Sequence, residues 1–129
     1  MTTQEAFAPG LLAGRSIIVT GGGSGLGLAM AKAFVSYGAS VTICGRRRER
    51  LDAALAEIAG ASRDGGAADA VAVDVRDPAA CEDLVTRAAE RFGKVDGLVN
   101  NAAGNFICPA IDLSPNSPRM HAECLPTAR

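Results

Sequence analysis

Two rhythms of apolar positions alternate along the chain. Ser16–Thr20 (SIIVT) is a short β-branched run ending in glycines, which predicts a buried strand. Leu26, Met30, Ala33, Phe34 and Tyr37 then recur at helical spacing, predicting a helix from Gly25 to Tyr37 that Gly38 stops. A second strand is predicted over Ser40 to Cys44 (SVTIC). The second helix, Arg47 to Ala59, carries Leu51, Ala54, Leu55 and Ile58 on one face, with Gly60 behind it. Ala70 to Val75 (AVAVDV) reads as a third strand. Asp77 and Pro78 read as an N-cap and a first helical residue, opening a helix with Cys81, Leu84, Val85, Ala88 and Phe92 in one stripe and Gly93 as its stop. Val95 to Asn100 (VDGLVN) reads as a fourth strand. After Asn105 neither period continues, and Pro115, Pro118 and Pro126 mark the remainder as loop or tail.

Strands alternating with helices of about a dozen residues imply βαβ units, a parallel sheet and right-handed crossovers. The expected class is therefore α/β: a Rossmann-like doubly wound parallel sheet, incomplete, with four strands and three helices. The first three strands should lie in the order 3-2-1, with the fourth beyond the first. The first two helices should cover one face and the third the other, which leaves the fourth strand as an edge.

Composition narrows this picture only a little. A chain of 129 residues holds one domain. With 48% hydrophobic residues, 21% charged and a net charge of −1, it has no electrostatic case for nucleic acid or a membrane surface as partner. Cys44, Cys81, Cys108 and Cys124 are widely spaced, form no C-x-x-C and have one histidine, His121, for company, which argues against a zinc site or a disulfide framework. The start, with Glu5 and Pro9, lacks the basic and apolar regions of a signal peptide. No run approaches the ~18 apolar residues of a membrane span. The end is not a peroxisomal address of the S-K-L type, and the default expectation is a cytoplasmic protein.

The chemistry begins in the turn after the first strand. Gly21, Gly25 and Gly27 form G-x-x-x-G-x-G; the G-x-G-x-x-G pattern fails because its third glycine would fall on Leu26. A P-loop is excluded, since Leu28 and Ala29 stand where Lys and Ser or Thr are required. Glycines here permit positive φ and let a pyrophosphate approach the backbone, while the following helix offers unpaired N–H groups and a partial positive charge. The candidate contacts are Gly21, Ser24, Gly25, Leu26 and Gly27. The alternative is a turn that only lets helix and strand pack closely.

Nucleotide choice is read at the end of the second strand, where an acidic residue would accept from the adenosine ribose of NAD. That place holds Gly45, followed by Arg46, Arg47 and Arg48. Guanidinium groups with no repelling carboxylate favour the extra phosphate of NADP over NAD, with Arg46 the foremost contact and Arg47 beside it. Cations in a first helical turn oppose the helix dipole, so a merely solvated face is the weaker explanation. Asp74, read as ending the third strand, is left free to face the adenine because Asp77 already serves as the cap; Val75 follows it.

Together with TGGGSGLG, the Asp74-Val75 pair and NNAAGNF from Asn100 to Phe106, the chain resembles the short-chain dehydrogenase/reductase family over residues 11 to 116. NNAAGNF and the NFICPAIDLSPN that overlaps it are similar to the 2,4-dienoyl-CoA reductase branch, which reduces unsaturated fatty acyl-CoA with NADPH. The resemblance implies that Asn101, Ala102, Ala103 and Gly104 line the nicotinamide-ribose end of the cofactor, that an acyl-CoA is the substrate of the complete enzyme, and that this enzyme is a homo-oligomer. Asn100 and Asn101 also have a plainer reading, as a polar strand end capping its own turn.

The family attributes catalysis to a Tyr and Lys in Y-x-x-x-K. Here the one tyrosine, Tyr37, is followed four residues later by Val41 and sits on the first helix's apolar stripe, which makes it a core residue. The expected organisation is an N-terminal extension over 1–12, an NADP-binding half-domain over 13–116 and an unpatterned tail over 117–129, suggestive of a shifted reading frame. The chain then reads as the cofactor-binding portion of a reductase, inactive alone. A non-catalytic nucleotide-binding module and an interaction fragment pairing through the open sheet edge remain alternatives.

Overall fold

The computed structural model describes residues 6–102. Four parallel strands, β1 (Ser16–Thr20), β2 (Ser40–Gly45), β3 (Ala67–Ala72) and β4 (Gly97–Val99), alternate with helices α1 (Gly25–Ser36), α2 (Arg48–Ala61) and α3 (Pro78–Phe92). The sheet order is β3-β2-β1-β4, as the pattern predicts. β1 pairs with β2 from Ser16↔Ser40 to Thr20↔Cys44, and β4 pairs with the other side of β1 from Ile17↔Gly97 to Val19↔Val99.

The two faces follow from the handedness of the crossovers. From β1 through α1 to β2, and through α2 to β3, the chain steps in one direction; it then returns through α3 to the far side of β1, so a right-handed crossover puts α3 on the opposite face. Accordingly Val19, Val41, Ile43 and Ala70 pack with Ala31 and Val35 of α1 and with Leu51, Ala54 and Ile58 of α2. The alternate residues Ile18, Cys44 and Val71 pack with Cys81, Leu84 and Ala88 of α3. Strands buried on both faces read as continuous apolar runs, which is why SIIVT and SVTIC stand out in the sequence.

Several boundaries and faces differ from expectation. β3 spans Ala67–Ala72, not Ala70 to Val75, because pairing with Ser40–Gly45 recruits alanines whose own strand preference is weak. Val73 and Val75 leave the strand yet still pack against the α3-side cluster. On α1 the buried residues are Gly27, Ala31 and Val35, not the larger stripe; Leu26 is 77% exposed and Ala33 is exposed. Three small or β-branched residues at i, i+4 and i+8 let the helix lie close on the sheet. α2 runs through Gly60, the expected stop, to Ala61. Val85 of α3 faces solvent at 39% exposure, while Asp77 and Gly93 cap that helix as predicted. β4 is confined to Gly97–Val99.

The opposite end of the sheet from the glycine turn is tied by Asp96. Its Oδ2 accepts from Ser16 N at 2.8 Å, and the carboxylate lies 3.3 Å from Lys94 Nζ and 3.7 Å from Arg15 Nη1. The Ser16 amide first, then Lys94 and Arg15, hold the Asp96 carboxyl below its ordinary range. The segment before β1 packs too: Leu12 N donates to Tyr37 O at 2.9 Å, and Phe7 meets the half-buried Tyr37 ring edge-on at 5.9 Å.

Candidate functional site

The strand order reverses between β1 and β4, and open α/β sheets bind ligands outside the carboxyl ends of the strands at such a switch point. The glycine turn lies there. Gly21 (φ +66°) and Gly25 (φ +56°) occupy the left-handed region, where other residues cost about 1–2 kcal/mol. Gly27 is required for a different reason: a Cβ there would run into Gly21 O and Asn101 Nδ2. At Gly25 a Cβ would meet nothing within 4 Å, so the turn is crowded beneath and open above.

The underside is held from two neighbouring strands. Gly21 N and Gly22 N donate to Cys44 O at 2.9 and 3.3 Å. Thr20 Oγ1 accepts from Asn101 N and Ala102 N, both at 3.0 Å, and donates to Val99 O at 3.3 Å. Asn101 Nδ2 donates to Gly21 O at 3.3 Å. The Asn101 amide thus reaches into the glycine turn, and Ala102 follows it; Ala103 and Gly104 lie outside the described residues. The Thr20 hydroxyl is a site component the sequence reading missed. A hydroxyl ending an otherwise apolar buried strand was its signal.

Ser24 is the N-cap of α1 but makes no side-chain capping hydrogen bond, and no acidic residue occupies the first turn. The first N–H groups of α1 are therefore available to an anion, with the positive end of the helix dipole behind them. Leu26 projects outward beside them.

A cleft of about 410 Å³ joins this turn to the end of β2, lined by Gly21, Gly23, Ser24, Gly45, Arg46 and Arg50, among others. Arg47 also lines it and is the N-cap of α2, without a side-chain cap bond. Arg46, Arg47 and Arg50 make no ion pair among the described residues. Arg48 is engaged instead, 3.0 Å from Asp52 and donating to Ala70 O at 3.3 Å. The sequence reading missed Arg50, although its place three residues after Arg47 puts it on the same side of the helix. A second hollow of about 370 Å³, between α2, β3 and Val35, is lined by no ionisable side chain.

Asp74 lies two residues beyond β3 rather than ending it, in a turn closed by Asp77 N donating to Asp74 O at 3.0 Å. Its carboxylate is not free: it is forked to Arg76, with Oδ2 2.7 Å from Nη2. That hydrogen bonding, before all else, lowers its pKa from 3.8 to about 2, and the Arg46 charge contributes. Val75 turns inward to the α3-side cluster. Cys44 is buried at the base of the site, and burial pushes its thiol up to about 11.

In chemical terms the site offers N–H donors, unpaired guanidinium groups and open glycine backbone to an extended anionic ligand bearing phosphates. The described residues contain no Y-x-x-x-K pair.

A family model for the short chain dehydrogenase matches residues 15–120. A probable 2,4-dienoyl-CoA reductase of Bacillus subtilis (strain 168) is 43% identical over 102 residues, covering 79% of this chain and 39% of the relative. The peroxisomal 2,4-dienoyl-CoA reductase of Arabidopsis thaliana is 41% identical over 113 residues, covering 88% of this chain and 37% of its own. The chain thus spans less than two fifths of the length of these two relatives. Among solved structures, a short chain dehydrogenase from Burkholderia cenocepacia J2315 in complex with NADP aligns with a TM-score of 0.68 at 37% identity, over 85% of this chain and 44% of that one. The parallel sheet, the glycine turn at its switch point and these relatives agree: the chain belongs to the short-chain dehydrogenase family of oxidoreductases.

Proposed function

We propose that this chain is the NADP-binding portion of a short-chain oxidoreductase that reduces an unsaturated fatty acyl-CoA. The observation that carries the cofactor choice is the set Arg46, Arg47 and Arg50 around a cleft whose strand end is Gly45, with no carboxylate paired to them among the described residues. An acid in place of Gly45 would repel a ribose phosphate; guanidinium forks attract it. The open backbone at Gly25 and the uncapped start of α1 fit a pyrophosphate. When bound, the nicotinamide supplies the hydride. The protein residues bind and orient: Gly21, Ser24, Gly25, Leu26 and Gly27 at the pyrophosphate, Asp74 at the adenine, and Asn101 to Gly104 at the nicotinamide ribose. The acyl-CoA substrate rests on the names of the two relatives, both 2,4-dienoyl-CoA reductases. With no Y-x-x-x-K in its 129 residues, the chain binds cofactor without turning it over.

Titration with NADPH and NADH, followed by nicotinamide fluorescence, tests this reading. The unsubstituted chain binds NADPH more tightly, and Arg46→Asp weakens NADPH at least roughly tenfold more than NADH, as expected for a lost charge-assisted contact. Equal losses for both would remove the NADP assignment. No binding of either would leave the interaction-fragment reading, which the half-exposed β4 edge favours.

A further inference from the structure

Asp74 and Arg76 form an exposed ion pair made through several hydrogen bonds at once. Asp74 Oδ1 accepts from the Arg76 backbone N at 3.0 Å and from its Nε at 3.0 Å; Oδ2 accepts from Nη2 at 2.7 Å and from Nε at 3.2 Å. Lys32 and Glu57, by contrast, meet through one contact of 3.5 Å. An exposed pair of this kind adds little to stability. What it does supply is orientation, because a planar fork fixes the carboxylate plane and the lone pairs left for a ligand.

The backbone around the pair is held as well. Val73 N donates to Gly45 O at 2.9 Å, which ties the segment to the strand end that carries Arg46, and Asp77 N closes the turn onto Asp74 O. Val73 and Val75 pack into the α3-side cluster on either side of Asp74. The Arg46 charge adds a little to the lowering of the Asp74 carboxyl that Arg76 dominates. A carboxylate already oriented loses less freedom when it accepts a ligand's hydrogen bond.

Resting on the reading that Asp74 faces the adenine, we propose that Arg76 is a positioning residue. It holds the Asp74 carboxylate in one orientation, so that the turn accepts from the exocyclic amino group of adenine and disfavours a base with an oxygen in that place.

The test titrates the full 129-residue chain with NADPH and with its deaminated, hypoxanthine counterpart, in the unsubstituted form and as Arg76→Ala, Arg76→Lys, Asp74→Asn and the double variant Arg76→Ala/Asp74→Asn. The unsubstituted chain is expected to prefer NADPH by roughly tenfold, the value of one hydrogen bond to a charged group. Arg76→Ala cuts that preference at least fivefold or so, and Arg76→Lys, which keeps the charge but not the fork, restores only part of it. In the Asp74→Asn background Arg76→Ala has no further effect on the ratio, as a residue acting through Asp74 requires. Arg76→Ala keeping the full preference while Asp74→Asn loses it would overturn the positioning role and leave the adenine reading standing. Asp74→Asn keeping the preference would overturn both, and so would an unsubstituted chain that binds neither nucleotide.

Discussion

Helices α1 and α3 both begin just past the carboxyl end of a strand, and their first turns are finished in opposite ways. At α3, Asp77 Oδ1 accepts from Ala79 N at 3.0 Å and Pro78 removes one donor, so the helix supplies its own cap. At α1, Ser24 is a residue type suited to capping and makes no such bond, and it lies between two glycines at positive φ, Gly21 and Gly25. The capped terminus is complete without a ligand. The uncapped one leaves donors and positive potential facing the carboxyl end of the sheet, and beside it α2 is preceded by Arg47 as its N-cap, with Arg46, Arg47 and Arg50 making no ion pair among the described residues. Incomplete local satisfaction therefore marks the candidate binding end of this sheet more sharply than any single residue type does.

The comparison can be broken most severely at Gly27. Gly27→Val places side-chain atoms where Gly21 O and Asn101 Nδ2 lie, and chemical denaturation should show a loss of about 3 kcal/mol, with NADPH binding abolished. A smaller and more diagnostic contrast uses the caps themselves. Asp77→Ala should cost about 1 kcal/mol and leave NADPH affinity unchanged, whereas Ser24→Ala should stay within about 0.5 kcal/mol in stability and weaken NADPH. If Ser24→Ala destabilised as much as Asp77→Ala, the two termini would be equivalent and the contrast would fail.

The smallest effect is expected in acid. Asp96 and Asp74 titrate below the ordinary carboxyl value in the folded chain, so the unfolded chain binds their protons more readily. Their contribution is complete above the ordinary value near 3.8 and is lost as pH falls through the folded values, about 2 for Asp74. Thermal melts taken from about pH 6 to about pH 2.5 should therefore fall on the acid side, and Asp96→Asn should flatten that fall. An unchanged acid slope in Asp96→Asn would show that the β1–β4 tie at that end is not charge-dependent.

What was legible in the sequence was local. Gly38, Gly93 and the Asp77-Pro78 pair punctuate the chain within a few residues, so the existence and order of the described elements could be read directly, and with them the topology that right-handed crossovers require. β3 was misplaced because Ala67 and Ala68 enter a strand only when β2 is there to pair with. The buried face of α1 was misread because Gly27 and Ala31 are buried for their smallness, which a search for large apolar residues overlooks. At the site, the glycine turn and the arginine run were visible, but which arginines stay unpaired was not. Arg48 turns to Asp52 and Ala70, and Arg50 takes its place at the cleft. The clasp of Thr20 with Asn101 and Ala102 joins residues some eighty positions apart, beyond the reach of any local pattern.

Cys44 gives this arrangement a built-in clock. Its carbonyl anchors Gly21 and Gly22 while its thiol lies buried under α3, protonated far above neutral pH and closed to reagents. An alkylating probe can reach that sulfur only in molecules whose α3-side packing has opened. Labelling of Cys44, with Cys81, Cys108 and Cys124 replaced by Ala, would thus time the breathing of the glycine turn in the absence of any ligand, and added nucleotide should slow it by the fraction of chains that ligand holds shut.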